Sequence, residues 1–278
     1  MNTPRKIAAT ILLACAALLA TTQAHAQCPQ VNTAFKSGER LEYKLYFNWK
    51  FVWINAGTAT LVTKDTSHDG QKMFRSHLLT RTSKRLDRFF SMRDTLECIV
   101  THDVVPVYYR KGAFEGGKYR VNEVSYTYPD GTCRMDMMYQ RPSGKQTRKI
   151  VEKAGCVYDM MSMMLRARSF KGSDFKVGER IHFDMADGKG VDPQQLIYRG
   201  IKKFTTEETK ITYRCMVFSF VEKQGKKEKE IITFYVTDDE NHLPVRLDMY
   251  LKFGVAKAYM KQATGVRNPQ TAIIKKGK

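Results

Sequence analysis

The sequence predicts an all-β fold with one mid-chain helix, built as a large curved antiparallel sheet of open-barrel or β-roll type. Three observations point there. Apolar and polar residues alternate at period two through most of the chain, turn-forming tripeptides separate the alternating runs, and one stretch alone switches to the helical period. The composition agrees: 42% hydrophobic and 11% aromatic residues exclude both a disordered chain and a multi-span membrane protein. Frequent Gly, Tyr, Phe and Thr exclude sustained coiled-coil heptads.

In chain order, residues 1–26 read as an export signal. Arg5 and Lys6 form a basic start, residues 7–20 an apolar run too short to anchor in a membrane, and Ala24-His25-Ala26 a small-x-small cleavage site. Leu12-Leu13-Ala14-Cys15 also fits a lipobox, so lipoprotein anchoring at Cys15 is the alternative. Cleavage there would leave apolar residues 16–20 on the mature terminus, and the expected cut falls after Ala26. The product is then an exported, periplasmic domain spanning 27–278.

Leu41, Tyr43, Leu45, Phe47 and Trp49 alternate with Glu42, Lys44, Tyr46 and Asn48, the pattern of a half-buried strand. Strands follow at 58–63 and 73–80 around the turn His68-Asp69-Gly70, and at 119–128 and 133–139 around Pro129-Asp130-Gly131. Further pairs at 211–221 and 231–236, and at 245–251 and 255–260, meet at Gln224-Gly225-Lys226 and Phe253-Gly254. Between the two series of strands, residues 158–168 place Met160, Met161, Met164, Leu165 and Ala167 at helical spacing. Asp159 is positioned to cap the first turn, and Arg166 and Arg168 suit the negative pole of the helix dipole.

The segment 35–43, with Gly38-Glu39, is echoed at 175–183, with Gly178-Glu179; five of the nine positions are identical. Duplication and convergence on one loop-to-strand entry both account for it. The domain thus reads as two β-rich halves, 30–155 and 170–262, followed by a flexible basic tail at 263–278. Five cysteines follow the signal: Cys28, Cys98, Cys133, Cys156 and Cys215. An oxidising compartment permits disulfides, and the odd number leaves at least one thiol unpaired. Cys98 and Cys133 lie in strand-like runs and are candidates to pair; the alternative is that they fill the core as small apolar residues. No cysteine or histidine spacing suggests a metal.

The order and spacing of several landmarks carry a resemblance. They are Phe35, Gly38-Glu39, Leu41 and Tyr43; Trp49; Ala56-Gly57-Thr58-Ala59; residues 94–96; Pro106 and Tyr108; Tyr158-Asp159-Met160-Met161-Ser162 with Leu165-Arg166; Val236 and Asp238; Pro244-Val245; and Gly254. With these the chain resembles the exported domain-of-unknown-function family 3108 of Gram-negative bacteria. The resemblance implies an exported, curved-sheet protein and no established activity.

The sequence shows no catalytic constellation. There is no nucleophile elbow, phosphate-cradling glycine loop or zinc-protease helix, and the histidines after the signal are scattered singly. His68 and His242 fall in turns, where solvated rings are expected. Tyr158-Asp159 reads as a helix cap beside a packed ring. Two carboxylates brought together by the fold would make a glycan hydrolase, the rival from another function class. No cofactor is indicated.

Seven of the fourteen methionines fall between Met135 and Met164. Flexible thioethers fill irregular cores, and they also line apolar sites that accept variable ligands. Met160, Met161 and Met164 are therefore candidate ligand-lining residues. The formal charge is +19. Arg81, Lys84, Arg85 and Arg88 would share one face if that stretch turned helical, making them candidate contacts for an anionic head group. Export argues against nucleic acid as the partner. The expected function is non-enzymatic binding of an anionic or amphipathic envelope component, whether lipid, lipopolysaccharide or acidic glycan, with peripheral membrane contact. A scaffold or assembly role through an exposed strand edge is the third reading.

Overall fold

The computed structural model describes residues 30–49, 52–224, 227–251 and 254–276. The export signal, Cys15, the cleavage position after Ala26 and Cys28 lie outside the described residues. The strands in chain order are β1 Glu39–Trp49, β2 Val52–His68, β3 Gln71–Thr82, β4 Met92–Val100, β5 Pro106–Glu115, β6 Lys118–Thr127, β7 Thr132–Gln140 and β8 Gln146–Ala154. They continue as β9 Val157–Tyr158, β10 Arg180–Ala186, β11 Val191–Thr205, β12 Thr212–Gln224, β13 Lys227–Thr237, β14 Pro244–Leu251, β15 Gly254–Thr264 and β16 Ile273–Lys275. Among the described residues two α-helices interrupt them: α1 is a single turn, Lys84–Asp87, and α2 is Met160–Ala167.

The strands form one sheet. Its spatial order runs from β8 down to β1, then from β15 down to β9, with β16 pairing β12 at the side. Long strands pair antiparallel with their sequence neighbours, whereas the short β9 pairs β10 in parallel. The chain therefore enters at the middle of the sheet on β1, meanders outward to β8, and crosses through α2 to the opposite edge. It then meanders back until β15 lies against β1. The right-handed twist natural to strands rolls so wide a sheet toward closure, and here it forms a nearly closed barrel.

Alternation decides which side chains face inward. Leu41, Tyr43 and Leu45 of β1, Leu61 of β2, Leu96 and Cys98 of β4, Val124 and Tyr126 of β6 and Met135 and Met137 of β7 make one buried interior face. Helix α2 lies within the curve and separates two clusters. Met161 and Leu165 pack on that first face, while Met163 packs on Leu196, Tyr198, Met216 and Phe218 of β11 and β12. Met161 is buried in this core and Met164 is half-buried against it, whereas Met160 is exposed.

Asp159 caps α2 as the sequence suggests. Its carboxylate accepts from the Met161 and Ser162 amides at 2.9 and 2.8 Å, and the Ser162 hydroxyl accepts in turn from the Asp159 amide at 3.0 Å. Tyr158 is buried beside it, with the Arg166 guanidinium 5.1 Å over its ring. At the other end of α2, Arg168 turns back into the protein and forms a bidentate ion pair with Glu39, the two side chains only 2% and 1% exposed. The same guanidinium donates to the Asn241 carbonyl at 2.9 Å, and the His242 ring bonds the Arg168 carbonyl. Residues 34–39, the C-terminus of α2 and the turn before Pro244, which opens β14, are thereby pinned together and plug one end of the barrel.

The echoed segments take one conformation. Gly38 and Gly178 sit at φ +88° and +90°, and the Glu39 and Glu179 amides close the same turn onto the Lys36 and Lys176 carbonyls. The copies diverge in the surroundings of the glutamate. Glu39 is buried against Arg168, whereas Glu179 is exposed and accepts from the amide of Lys176.

Several expectations are corrected. Arg81 belongs to β3 and only Lys84–Asp87 is helical, so Arg81, Lys84, Arg85 and Arg88 share no helical face, though all four are exposed. Ser83 caps the short turn and Asp87 pairs with Arg93 at 2.5 Å, which ends the helix after one turn. Residues 263–276 are not a free tail. Ala263 and Thr264 complete β15, Ala272 is fully buried and β16 adds to the sheet. His242 is buried, not solvated, because its ring satisfies the carbonyl that ends α2. Cys98, Cys133 and Cys215 are free buried thiols, so the Cys98–Cys133 bond does not form, and Cys156 is disulfide-bonded.

Candidate functional site

The two free edges of the rolled sheet, β8 and the β9–β10 pair, define a seam. Among the described residues no hydrogen-bonded ladder closes it; side chains do. Lys153 of β8 meets Asp184 of β10 at 2.6 Å. The turn between β10 and β11 then reaches onto β6 and β7. Asn122 donates to the Asp187 carbonyl at 2.5 Å, and the Lys189 ammonium lies 4.7 Å from the centre of the Tyr139 ring. Gly188 makes this approach feasible. It has φ +83°, and a side-chain carbon there would lie 2.8 Å from the Met138 carbonyl and 2.9 Å from the Glu123 amide.

Under that turn lies a cavity of about 230 Å3. Its walls come from inward-facing positions of β5 (Tyr109, Lys111, Ala113, Glu115), β6 (Arg120, Asn122) and β7 (Tyr139), from Met185 and Ala186 at the end of β10, from Asp187 and Lys189 of the turn that follows, and from Met160 at the start of α2. The division of labour is chemical. Met160, Met185, Ala113 and Ala186 supply an apolar side, and Lys111, Arg120 and Lys189 bring three cationic groups. Arg120 is neutralised by Glu115 at 3.1 Å, and the Asp187 carboxylate accepts from the amides of its own turn, Lys189 and Gly190, at 2.9 and 3.1 Å. Among the described residues, neither Lys111 nor Lys189 has a carboxylate within 4 Å, so the cavity offers two cations to a guest.

Behind this wall, Asp94 of β4 faces inward, and one of its carboxylate oxygens is buried without a hydrogen-bond partner. Burial pushes its carboxyl up to about 6; the Lys111 charge opposes the rise and Glu115 adds to it. Burial likewise raises Asp159 to about 6, against the hydrogen bonds from Ser162 and Met161. Both acids bind protons more tightly folded than unfolded between about pH 4 and 6. The stability they lend is complete below about pH 4 and is lost as the pH rises through 6. Asp94→Asn is therefore expected to gain stability on the wild type as the pH goes from about 4.5 to about 7.5. Thermal melts at both values check this; a difference that does not change with pH would refute it.

His102, next to Asp103, stacks on Phe74 at 4.5 Å. Among the described residues no group of three His, Cys, Asp or Glu is placed to hold a metal ion.

Of the sequence candidates, Met160 alone lines the cavity. Arg81, Lys84, Arg85 and Arg88 surround the β3–β4 loop instead. Gly38, Glu39, Tyr158, Asp159 and Pro244 sit in the plug and the helix cap, and Gly178 and Glu179 in the exposed second turn. Lys111, Arg120, Asn122 and Lys189 carry no signal in local spacing, because nothing in the sequence joins them; the inward phase of β5 and β6 is the only mark they bear.

The family model for proteins of unknown function designated DUF3108 matches residues 42–261. The chain belongs to the DUF3108 family. No curated protein is detectably similar in sequence. Among solved structures, a β-barrel-like protein of the domain of unknown function DUF1849 from Brucella abortus is similar at 11% identity and a TM-score of 0.50, over 82% of this chain and 97% of that one. A candidate exported protein with a YmcC-like fold from Bacteroides fragilis matches at 7% identity and TM-score 0.33, covering 84% and 99% of the two chains. A candidate lipoprotein from Parabacteroides distasonis matches at 9% and 0.33, over 85% and 99%. The first likeness shows that this DUF3108 chain shares a barrel-like fold; it says nothing of ligand or activity.

Proposed function

We propose that this DUF3108 protein is a non-enzymatic binding protein of the bacterial envelope, exported to the periplasm, that holds the anionic end of an amphiphile in the seam cavity. The observation that carries the reading is the pairing of two uncompensated ammonium groups, Lys111 and Lys189, with an apolar side made by Met160 and Met185. A phosphate or carboxylate there would gain charge-assisted hydrogen bonds in a partly desolvated site. The adjoining carbon chain would lie against thioethers that adapt to its shape. The volume suits a head group with the first part of one chain, below the usual range for an enclosed drug-sized ligand. The two carboxylates of the wall, Glu115 and Asp187, are both committed to partners in the fold, which favours binding over proton transfer.

Calorimetry with dodecyl phosphate, dodecanol and inorganic phosphate as separate titrants tests the proposal. Dodecyl phosphate is expected to bind at least about tenfold tighter than either partial ligand, and Lys111→Glu with Lys189→Glu to weaken it by about a hundredfold. Equal affinity for dodecyl phosphate and inorganic phosphate would remove the amphiphile from the reading. No binding of any of the three would remove the site.

A further inference from the structure

The strand order brings to one rim of the barrel, at the end opposite the plug, the β5–β6 turn, the β3–β4 loop, the start of β2 and the end of β14. This rim carries large apolar side chains in water. Phe89 is 84% exposed and Phe90 46%, both on the β3–β4 loop, with Val52 and Trp53 at the start of β2, Tyr119 after the β5–β6 turn and Leu251 at the end of β14.

The loop holding Phe89 is braced rather than slack. Asp87 ties Arg93, the Ser83 amide donates to the Ala56 carbonyl at 2.8 Å, and the Gly116 amide donates to the Ser91 carbonyl at 2.9 Å. Phe90 lies over Gly116, so only Phe89 is left fully in water. A fixed frame that displays a phenyl ring is the arrangement of an anchor, since a free loop would fold the ring back onto the protein.

The charge around these rings has one sign. Arg81, Lys84, Arg85 and Arg88 are exposed, and among the described residues none has a carboxylate within 4 Å. Lys118 is exposed beside Tyr119, and the Lys257 ammonium lies 4.2 Å from the centre of the Trp53 ring. Aromatic rings that enter the head-group layer, flanked by cations that neutralise it, match the chemistry of an anionic bilayer surface.

We propose that this rim docks on an anionic lipid bilayer, with Phe89 entering the interfacial layer and Arg81, Lys84, Arg85 and Arg88 contacting head-group phosphates. The proposal does not depend on what fills the seam cavity.

Flotation of the mature chain with phosphatidylglycerol or phosphatidylcholine vesicles tests it. Binding to the anionic vesicles is expected to exceed that to the neutral ones by about tenfold or more, and to weaken between about 50 and 300 mM salt. Lys84→Glu with Arg85→Glu and Arg88→Glu should weaken it by about a hundredfold, and Phe89→Ala with Phe90→Ala by about tenfold. Because a basic chain adsorbs on any anionic surface, Lys202→Glu with Lys203→Glu, toward the opposite end of β11, serves as the charge control and should have little effect. Phe89→Trp reports insertion through quenching by brominated lipid. Absence of vesicle binding, equal loss in the control, or an unquenched Phe89→Trp would each overturn the proposal. Loss of dodecyl phosphate binding in Lys111→Glu with Lys189→Glu, while flotation is kept, would show that cavity and rim act separately.

Discussion

Glu39→Ala is expected to destabilise the protein by about 3–5 kcal/mol, lowering its melting temperature by roughly 10 °C. The substitution leaves the Arg168 guanidinium buried without its counter-charge, and the Asn241 and Ala34 carbonyls that it also reaches cannot replace a carboxylate. The effect extends beyond one contact, because Arg168 joins three segments far apart in sequence: the entry to β1, the end of α2 and the turn before β14. A second variant separates the loss of a partner from the loss of the site. Glu39→Leu with Arg168→Met removes both charges and should recover most of the stability, as buried pairs exchanged for apolar residues commonly do. Thermal and denaturant melts of the single and double variants decide the matter. A Glu39→Ala shift under about 2 °C would mean that water reaches Arg168 and that the plug is not sealed.

Gly188→Val is expected to have the largest effect on the seam cavity. A β-branched residue at φ +83° is strained in itself, and its side chain would have to occupy space held by the backbones of Met138 and Glu123. The turn must then lift from β6 and β7, breaking the Asn122–Asp187 hydrogen bond and drawing Lys189 from the Tyr139 ring. Dodecyl phosphate affinity should fall at least about tenfold, with a stability loss of order 3 kcal/mol, and amides of β8 and β10 should exchange faster with solvent. Gly190→Ala is the control: its new carbon would meet nothing nearer than the Lys149 ammonium at 3.5 Å. Equal behaviour of the two variants would show that the close approach at Gly188 does not position the cavity wall.

The elements visible in the sequence are those whose burial has a simple period. Residues 41–49, 119–128 and 133–139 alternate because one face of β1, β6 and β7 is buried, and α2 declares itself through its methionines and the Asp159 cap. Strand β8 is hidden because Gln146–Ala154 lies at a sheet edge and is mostly exposed, so no apolar alternation marks it. Strand β11 is hidden because a register shift between Tyr198 and Ile201 breaks its phase. Glu39 stands out as a motif residue, yet its role cannot be read locally: the echoed Glu179 has the same local sequence and turn, and only burial against Arg168 distinguishes the two.

The sequence by itself determines the strand-dominated class, the principal hairpin at Pro129-Asp130-Gly131, the capped mid-chain helix and membership in the DUF3108 family of unknown function. These rest on interactions within a few residues, where backbone preference and side-chain period act directly. The tertiary structure alone decided that β1 meets β15 at the middle of the sheet, that residues 263–276 are tied to it through β15, β16 and the buried Ala272, and that Lys111 and Lys189, distant in the chain, face one cavity. Period two tells a residue which face of its strand it occupies; it carries no information on which strand will lie opposite. That is settled by how far a twisted sheet rolls and by turns, such as that at Gly188, small enough to close against neighbouring strands.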